Sequence, residues 1–205
     1  MDHIKLKYVT CLLTIIVTAL FSNVKGQVSK ADLKIRATGG VYSLLEEEVH
    51  NVYGSGPLFQ LQFVAKMSKQ SRLKIGGSYF RTTGNPYYSL GDFIVGDTGT
   101  LSLNSLSMVI ELGGKTANNP KVYVGAGVLY YFGSENIDGH SKNNGDGLGA
   151  LISLSPEFQL SGKAFLVMEA GLRLVEVKFR NDNRRYTFNL SGGTLSIGLA
   201  YRFGR

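Results

Sequence analysis

A two-residue alternation of apolar and polar side chains, recurring in eight runs, limits the fold of this chain more than any other feature. Successive side chains of a β-strand point to opposite faces, so this period predicts strands with one apolar and one polar face. Over 58–67, Phe59, Leu61, Phe63, Ala65 and Met67 are apolar, with Gln60, Gln62 and Lys66 between them. Over 163–174, Ala164, Leu166, Met168, Ala170, Leu172 and Leu174 share one face, and Glu169, Gly171 and Arg173 share the other. Leu106, Met108, Ile110 and Leu112 alternate in the same way with Ser105, Ser107 and Glu111. The predicted strands are 30–42, 57–68, 71–82, 100–114, 121–133, 148–160, 163–178 and 186–203. Two runs change phase, near Val175 and at Gly192-Gly193, and a bulge at each would restore the faces. Pro156 cannot donate to a ladder, so it must sit where no donor is needed.

The joins carry further information. Residues 69–70, 115–120 and 161–162 are short, whereas 43–56, 83–99, 134–147 and 179–185 are longer and polar. Strict alternation of long and short puts every long loop at one mouth of an up-and-down barrel and both termini at the other. Aromatic residues gather near both strand ends. Tyr42, Tyr79, Tyr130, Phe132, Phe179 and Tyr186 lie towards the long loops, and Tyr123, Phe158, Phe165, Tyr201 and Phe203 towards the short ones. Two interfacial girdles are the expectation.

Before the first strand, Lys5 and Lys7 precede an uncharged apolar run, 8–21. A bilayer needs about 20 such residues, so the run fits a signal-peptide core and not a membrane span. Val24 and Gly26 occupy the −3 and −1 places of a cut before Gln27, which assigns 1–26 to a cleaved signal peptide and 27–205 to the barrel. The single cysteine, Cys11, lies in the signal segment, which excludes a disulfide framework or a CxxC zinc site. The whole chain carries +7, of which Asp2, Lys5, Lys7 and Lys25 account for a net +2, leaving +5 on 27–205. A hydrophobic fraction of 43% excludes intrinsic disorder.

The last run holds the most specific motif. Leu195, Ile197, Leu199, Tyr201 and Phe203 form an unbroken apolar face, and Gly198-Leu199-Ala200-Tyr201-Arg202-Phe203 resembles the C-terminal recognition signal of outer-membrane barrels. Gly198, Tyr201 and Phe203 are its matching positions; the tail Gly204-Arg205 departs from it, since many members end on the aromatic residue. The whole pattern resembles the small eight-stranded OmpA, OmpX and OmpW-type barrels. That resemblance implies an all-β, antiparallel, up-and-down transmembrane barrel in the outer membrane of a Gram-negative cell. It also implies insertion by the barrel-assembly machinery and contact with outer-membrane lipids and lipopolysaccharide. A soluble eight-stranded barrel such as a lipocalin has the same alternation with the faces reversed. The near absence of charge on the apolar faces assigns them to lipid here.

The polar face holds Lys34, Arg36, Gln60, Gln62, Lys66, Arg72, Lys74, Glu111, Glu157, Glu169 and Arg173. Inside an eight-stranded barrel such charges must pair, because an isolated buried charge is costly. Lys34, Arg36, Lys66, Lys74, Glu111, Glu157, Glu169 and Arg173 are therefore the candidate structural cluster of the lumen. No catalytic, cofactor or metal site is predicted. His50 and His140 fall in loops, and Asp138, His140 and Ser141 are too close in sequence to make a triad. His140 and Lys142 interrupt calcium-loop spacing in 138–146. Glu46-Glu47-Glu48 reads as a solvated loop tip or a weak divalent-cation partner. No basic run exceeds Arg184-Arg185, which argues against nucleic acid. The expected function is a non-enzymatic envelope-structural role, or interaction with an undefined surface ligand through the long loops. A small-solute or apolar-ligand channel is the alternative, followed by an enzyme acting on lipid A.

Overall fold

The computed structural model describes residues 32–85, 98–114, 120–137, 142–180 and 185–203. The assigned signal segment, the triad residues Asp138, His140 and Ser141, and the tail Gly204-Arg205 lie outside them. The strands are β1 (Leu33–Leu44), β2 (Ser55–Lys66), β3 (Ser71–Gly84), β4 (Gly99–Gly113), β5 (Lys121–Ile137), β6 (Asn143–Gln159), β7 (Ala164–Arg180), β8 (Arg185–Asn189) and β9 (Gly192–Phe203). Each strand pairs antiparallel with its neighbour, and β1 pairs with both β2 and β9. The sheet is therefore closed. β8 and β9 both pair with β7 and together make the eighth stave, interrupted at Leu190-Ser191.

The two predicted bulges are absent. Along β7, Phe165, Val167, Glu169, Arg173, Val175, Val177 and Phe179 are all buried, with no change of phase at Val175. The register of β7 against β8 continues the one it keeps against β9, because Glu176↔Asn189 and Arg173↔Gly192 belong to one series. What changes is polarity. Below Val175 the outward residues are apolar and Glu169 and Arg173 point inward, with the apolar pair Phe165 and Val167 buried beneath them. Above it Val177 and Phe179 are inside and Glu176, Lys178 and Arg180 outside. The same reversal crosses the eighth stave at Leu190, whose N–H donates to the Val175 carbonyl at 2.9 Å. Two apparent phase slips are thus one height in the barrel.

The outer apolar band on β7 runs over 164–174, which matches the 9–11 residues of a transmembrane β-strand. Leu106 and Ile110 on β4, Val124 and Val128 on β5, and Leu195, Ile197 and Leu199 on β9 extend it around the wall. Such a band on a closed barrel is the surface that faces acyl chains. The outward aromatics follow it: Tyr79, Phe132, Tyr201 and Phe203 are exposed. Tyr42, Phe165 and Phe179, assigned to girdles from their place along the strands, are buried inside. Their phase is inward, and phase outweighs height.

The first long join contains a short helix, α1 (Glu47–Tyr53), with Glu47 and Glu48 at its positive end. Gly54, at φ 55°, ends it in a conformation that other residues adopt at a cost. Glu46, Glu47 and Glu48 are exposed as expected, while Val49 and Tyr53 turn into the barrel. Pro156 stays within β6 opposite Val122. The β6–β7 ladder passes from Leu154↔Ala170 to Glu157↔Val167, so Pro156 sits in its gap.

Candidate functional site

The lumen holds three layers of side chains. Nearest the short turns lies an ion network of four cations and three carboxylates. Glu157 on β6 accepts from Lys34 at 2.9 Å and Arg36 at 2.8 Å on β1, and from Arg72 at 2.5 Å on β3. Glu111 on β4 bonds the Arg72 Nε and takes Lys74 at 2.9 Å. Glu169 on β7 takes Lys74 at 2.5 Å and Arg36 at 3.0 Å. The Ser155 hydroxyl donates to Glu169 at 3.1 Å. Arg36 and Lys74 are fully buried, which at this density of opposite charge is sustainable only because each meets two or more carboxylates. Glycine makes the room: a Cβ on Gly125 would lie 2.9 Å from the Glu111 Cγ and 2.8 Å from the Ser153 hydroxyl.

Above the network lies a neutral polar layer around Arg173. Its guanidinium donates to the Tyr131 hydroxyl at 2.9 Å, the Ser78 hydroxyl at 3.1 Å and the Gln60 amide oxygen at 3.2 Å. Gln62 donates to Gln60 at 3.2 Å, and Gln60 donates to Ser196 at 3.1 Å. The third layer is an apolar plug of buried side chains at the long-loop mouth. Tyr42 and Phe80 meet edge to face at 5.0 Å, Phe179 stacks on Tyr186 at 5.5 Å, and Val49 and Tyr53 of α1 close the top. Gly133 and Gly145 flank the Phe179 ring, where any Cβ would come within 2.9 Å of it. The rim carries buried Glu135, which receives the hydroxyls of Tyr53 and Tyr186.

Six of the eight predicted cluster residues, Lys34, Arg36, Lys74, Glu111, Glu157 and Glu169, meet in the ion network. Lys66 does not. It has the inward phase but is the last residue of β2, beyond the enclosed lumen, and is exposed. Arg72, one pleat below Lys74 on β3, is the fourth cation instead. Arg173 points inward as predicted, but its hydrogen-bond acceptors are neutral and it shares none with Glu169. Tyr53 and Glu135 carried no local signal, because one comes from a short helix and the other from a strand extension with little alternation. Tyr186, assigned to a girdle, instead turns its hydroxyl to Glu135. The C-terminal motif lies on the β1–β9–β7 seam. Tyr201 and Phe203 face outward with rings 5.3 Å apart, and Gly198 faces Thr38 of β1.

The closed eight-stave antiparallel barrel is a fold that solved structures share. OprG from Pseudomonas aeruginosa superposes with a TM-score of 0.65 at 13% identity, over 85% of this chain and 97% of that one. This chain has the fold of the small outer-membrane barrels. A major outer membrane protein from Thermus thermophilus gives a TM-score of 0.59 at 16% identity, covering 84% of this chain and 99% of that one. Neisserial surface protein A gives 0.56 at 17% identity, over 84% and 99%. No protein-family model matches the chain, and no curated protein matches it. Among the described residues no group of three or more His, Cys, Asp or Glu could hold a metal ion.

Proposed function

We propose that this protein is a non-enzymatic, non-conducting barrel of the outer membrane of a Gram-negative cell, acting in envelope structure or in surface interaction through its long-loop end. The observation that carries this reading is the doubly filled lumen. Among the described residues an ion network fills one end of the lumen and a cluster of buried apolar side chains fills the other. The similarity to outer-membrane barrels supports the location, and the assigned signal peptide 1–26, cut near Gly26-Gln27, supports export. Lipopolysaccharide is the partner that fits the long-loop rim, where Lys178, Arg180 and Arg185 are exposed. The barrel-assembly machinery is the partner that fits the Gly198, Tyr201 and Phe203 motif, and Phe203→Ala is expected to lower the yield of folded barrel in cells.

Planar-bilayer recording tests the main reading. No steady conductance is expected from the refolded protein; reproducible unitary steps would replace this reading with a small-solute channel. One observation favours a second reading, an apolar-ligand path. Ala170, Gly171 and Gly193 leave a hollow in the wall of β6, β7 and β9, lined by Ile152, Leu172 and Leu195. Saturable uptake of an apolar solute into protein-containing vesicles, lost in Gly193→Leu, would favour it.

A further inference from the structure

The short-turn mouth holds a cup that the ion network does not use. Its volume is about 80 Å³, close to that of two or three waters at roughly 30 Å³ each. Among the described residues six cations line it, Lys34, Lys66, Lys69, Arg72, Lys121 and Arg202, against one acid, Asp32. Glu157 and Glu111 behind the cup neutralise Lys34 and Arg72. Lys66, Lys69, Lys121 and Arg202 form no salt bridge among the described residues. The four belong to different structural pieces: the end of β2, the β2–β3 turn, the start of β5 and the end of β9.

The floor is built, not incidental. Arg72 is 4% exposed, with its guanidinium over the Tyr123 ring at 3.3 Å. Its Nε and Nη1 are held by Glu111 and Glu157, while Nη2 has no hydrogen-bond partner among the described residues. Asp32 at the edge of the cup offers one carboxylate, whose buried Oδ1 has no hydrogen-bond partner among the described residues, against the four cations without a salt bridge. The excess positive charge together with the open Nη2 of Arg72 favours an anion.

We propose that this cup is a binding site for a phosphate group. Of the four cations without a salt bridge, Arg202 donates to the Gly162 carbonyl and the other three are lysines. Lysines bind phosphate as point charges, whereas a lone carboxylate is better matched by a bidentate arginine fork. Cations approaching from separate staves suit a tetrahedral group whose charge is spread over several oxygens. The phosphate has two possible sources, a lipid headgroup of the adjoining leaflet or a soluble phosphorylated compound.

The test is amide NMR of the full-length mature barrel in phosphatidylcholine nanodiscs, titrated with inorganic phosphate. Saturable shifts are expected at the amides of Ser68, Ser71 and Gly114, which line the cup. The triple variant Lys66→Gln/Lys69→Gln/Lys121→Gln alters only exposed side chains, so its barrel should keep the wild-type spectrum elsewhere. Binding in it should be about tenfold weaker. Nanodiscs containing phosphatidylglycerol then separate the sources. Loss of apparent phosphate affinity there would mean that the headgroup occupies the cup; unchanged affinity would mean a soluble phosphate compound. Absence of saturable shifts, or identical binding in the triple variant, overturns the site.

Discussion

The short-turn half and the long-loop half of this barrel are built from the same staves with the same alternation, yet their polarities are opposite. On β7 the lower half points Glu169 and Arg173 inward and Met168, Leu172 and Leu174 outward. The upper half of the same strand points Val175, Val177 and Phe179 inward and Glu176, Lys178 and Arg180 outward. The backbone does not distinguish the halves; the medium outside does. Where acyl chains surround the wall, the outside must be apolar, and the narrow lumen takes the polar residues as a paired network. Where water surrounds it, the wall is polar and the inside collapses into an ordinary hydrophobic core. The lower half has the apolar wall of a transmembrane barrel, and the upper half has a polar wall around an apolar interior on the same strands.

Glu157→Ala should have the largest effect, since it leaves Lys34, Arg36 and Arg72 facing one another with less charge to meet. A loss of about 3–5 kcal/mol is expected in urea unfolding from lipid vesicles. The exposed control Glu47→Ala should change stability by less than about 0.5 kcal/mol. A similar cost for both would mean that the network is solvated and contributes little.

Phe179→Ala attacks the other half. The ring lies between Gly133 and Gly145, which cannot move in to fill the space, so a loss of about 3–4 kcal/mol is expected. Because the upper half is a water-facing core, the local protection of β8 amides to hydrogen exchange should fall before that of β9. Uniform loss along the eighth stave would deny the division into two regions.

Met168→Arg and Lys178→Leu sharpen the comparison from outside. Both residues face outward on β7, on either side of the reversal. The arginine in the lipid band should cost about 2–4 kcal/mol of folding in bilayers. The leucine in the water-facing region should alter stability by no more than about 0.5 kcal/mol. Equal effects would place both positions in one medium.

Much of this was legible in the sequence, because alternation is a local property. The eight staves and the inward phase of Lys34, Arg36, Lys74, Glu111, Glu157 and Glu169 follow from the period of two and need no knowledge of neighbours. The joins do not: those read as long at 134–147 and 179–185 are cut to 138–142 and 181–184, because the strands run on past the alternation, leaving them shorter than the join at 114–120. The same local rule misread the reversal at Val175 and Gly192. A change of which face is apolar looks identical in one dimension whether the strand has slipped or the medium has changed. Only the register of β7 against β8 and β9 separates the two, and it shows no slip.

Pairing across the lumen was also beyond the sequence. Lys34 meets Glu157 and Arg36 meets Glu169 at separations of 123 and 133 residues, between strands that are not neighbours in the sheet. Which charge meets which depends on the tilt and stagger with which the sheet closes, and no single strand carries that information. Side chains a few residues apart were enough to dictate the staves and their faces. Closure of the barrel, which brings distant staves face to face, was needed for the rest. It set the partners of each lumen charge, the exclusion of Lys66, the inward turn of Val49 and Tyr53, and the cup at the short-turn mouth.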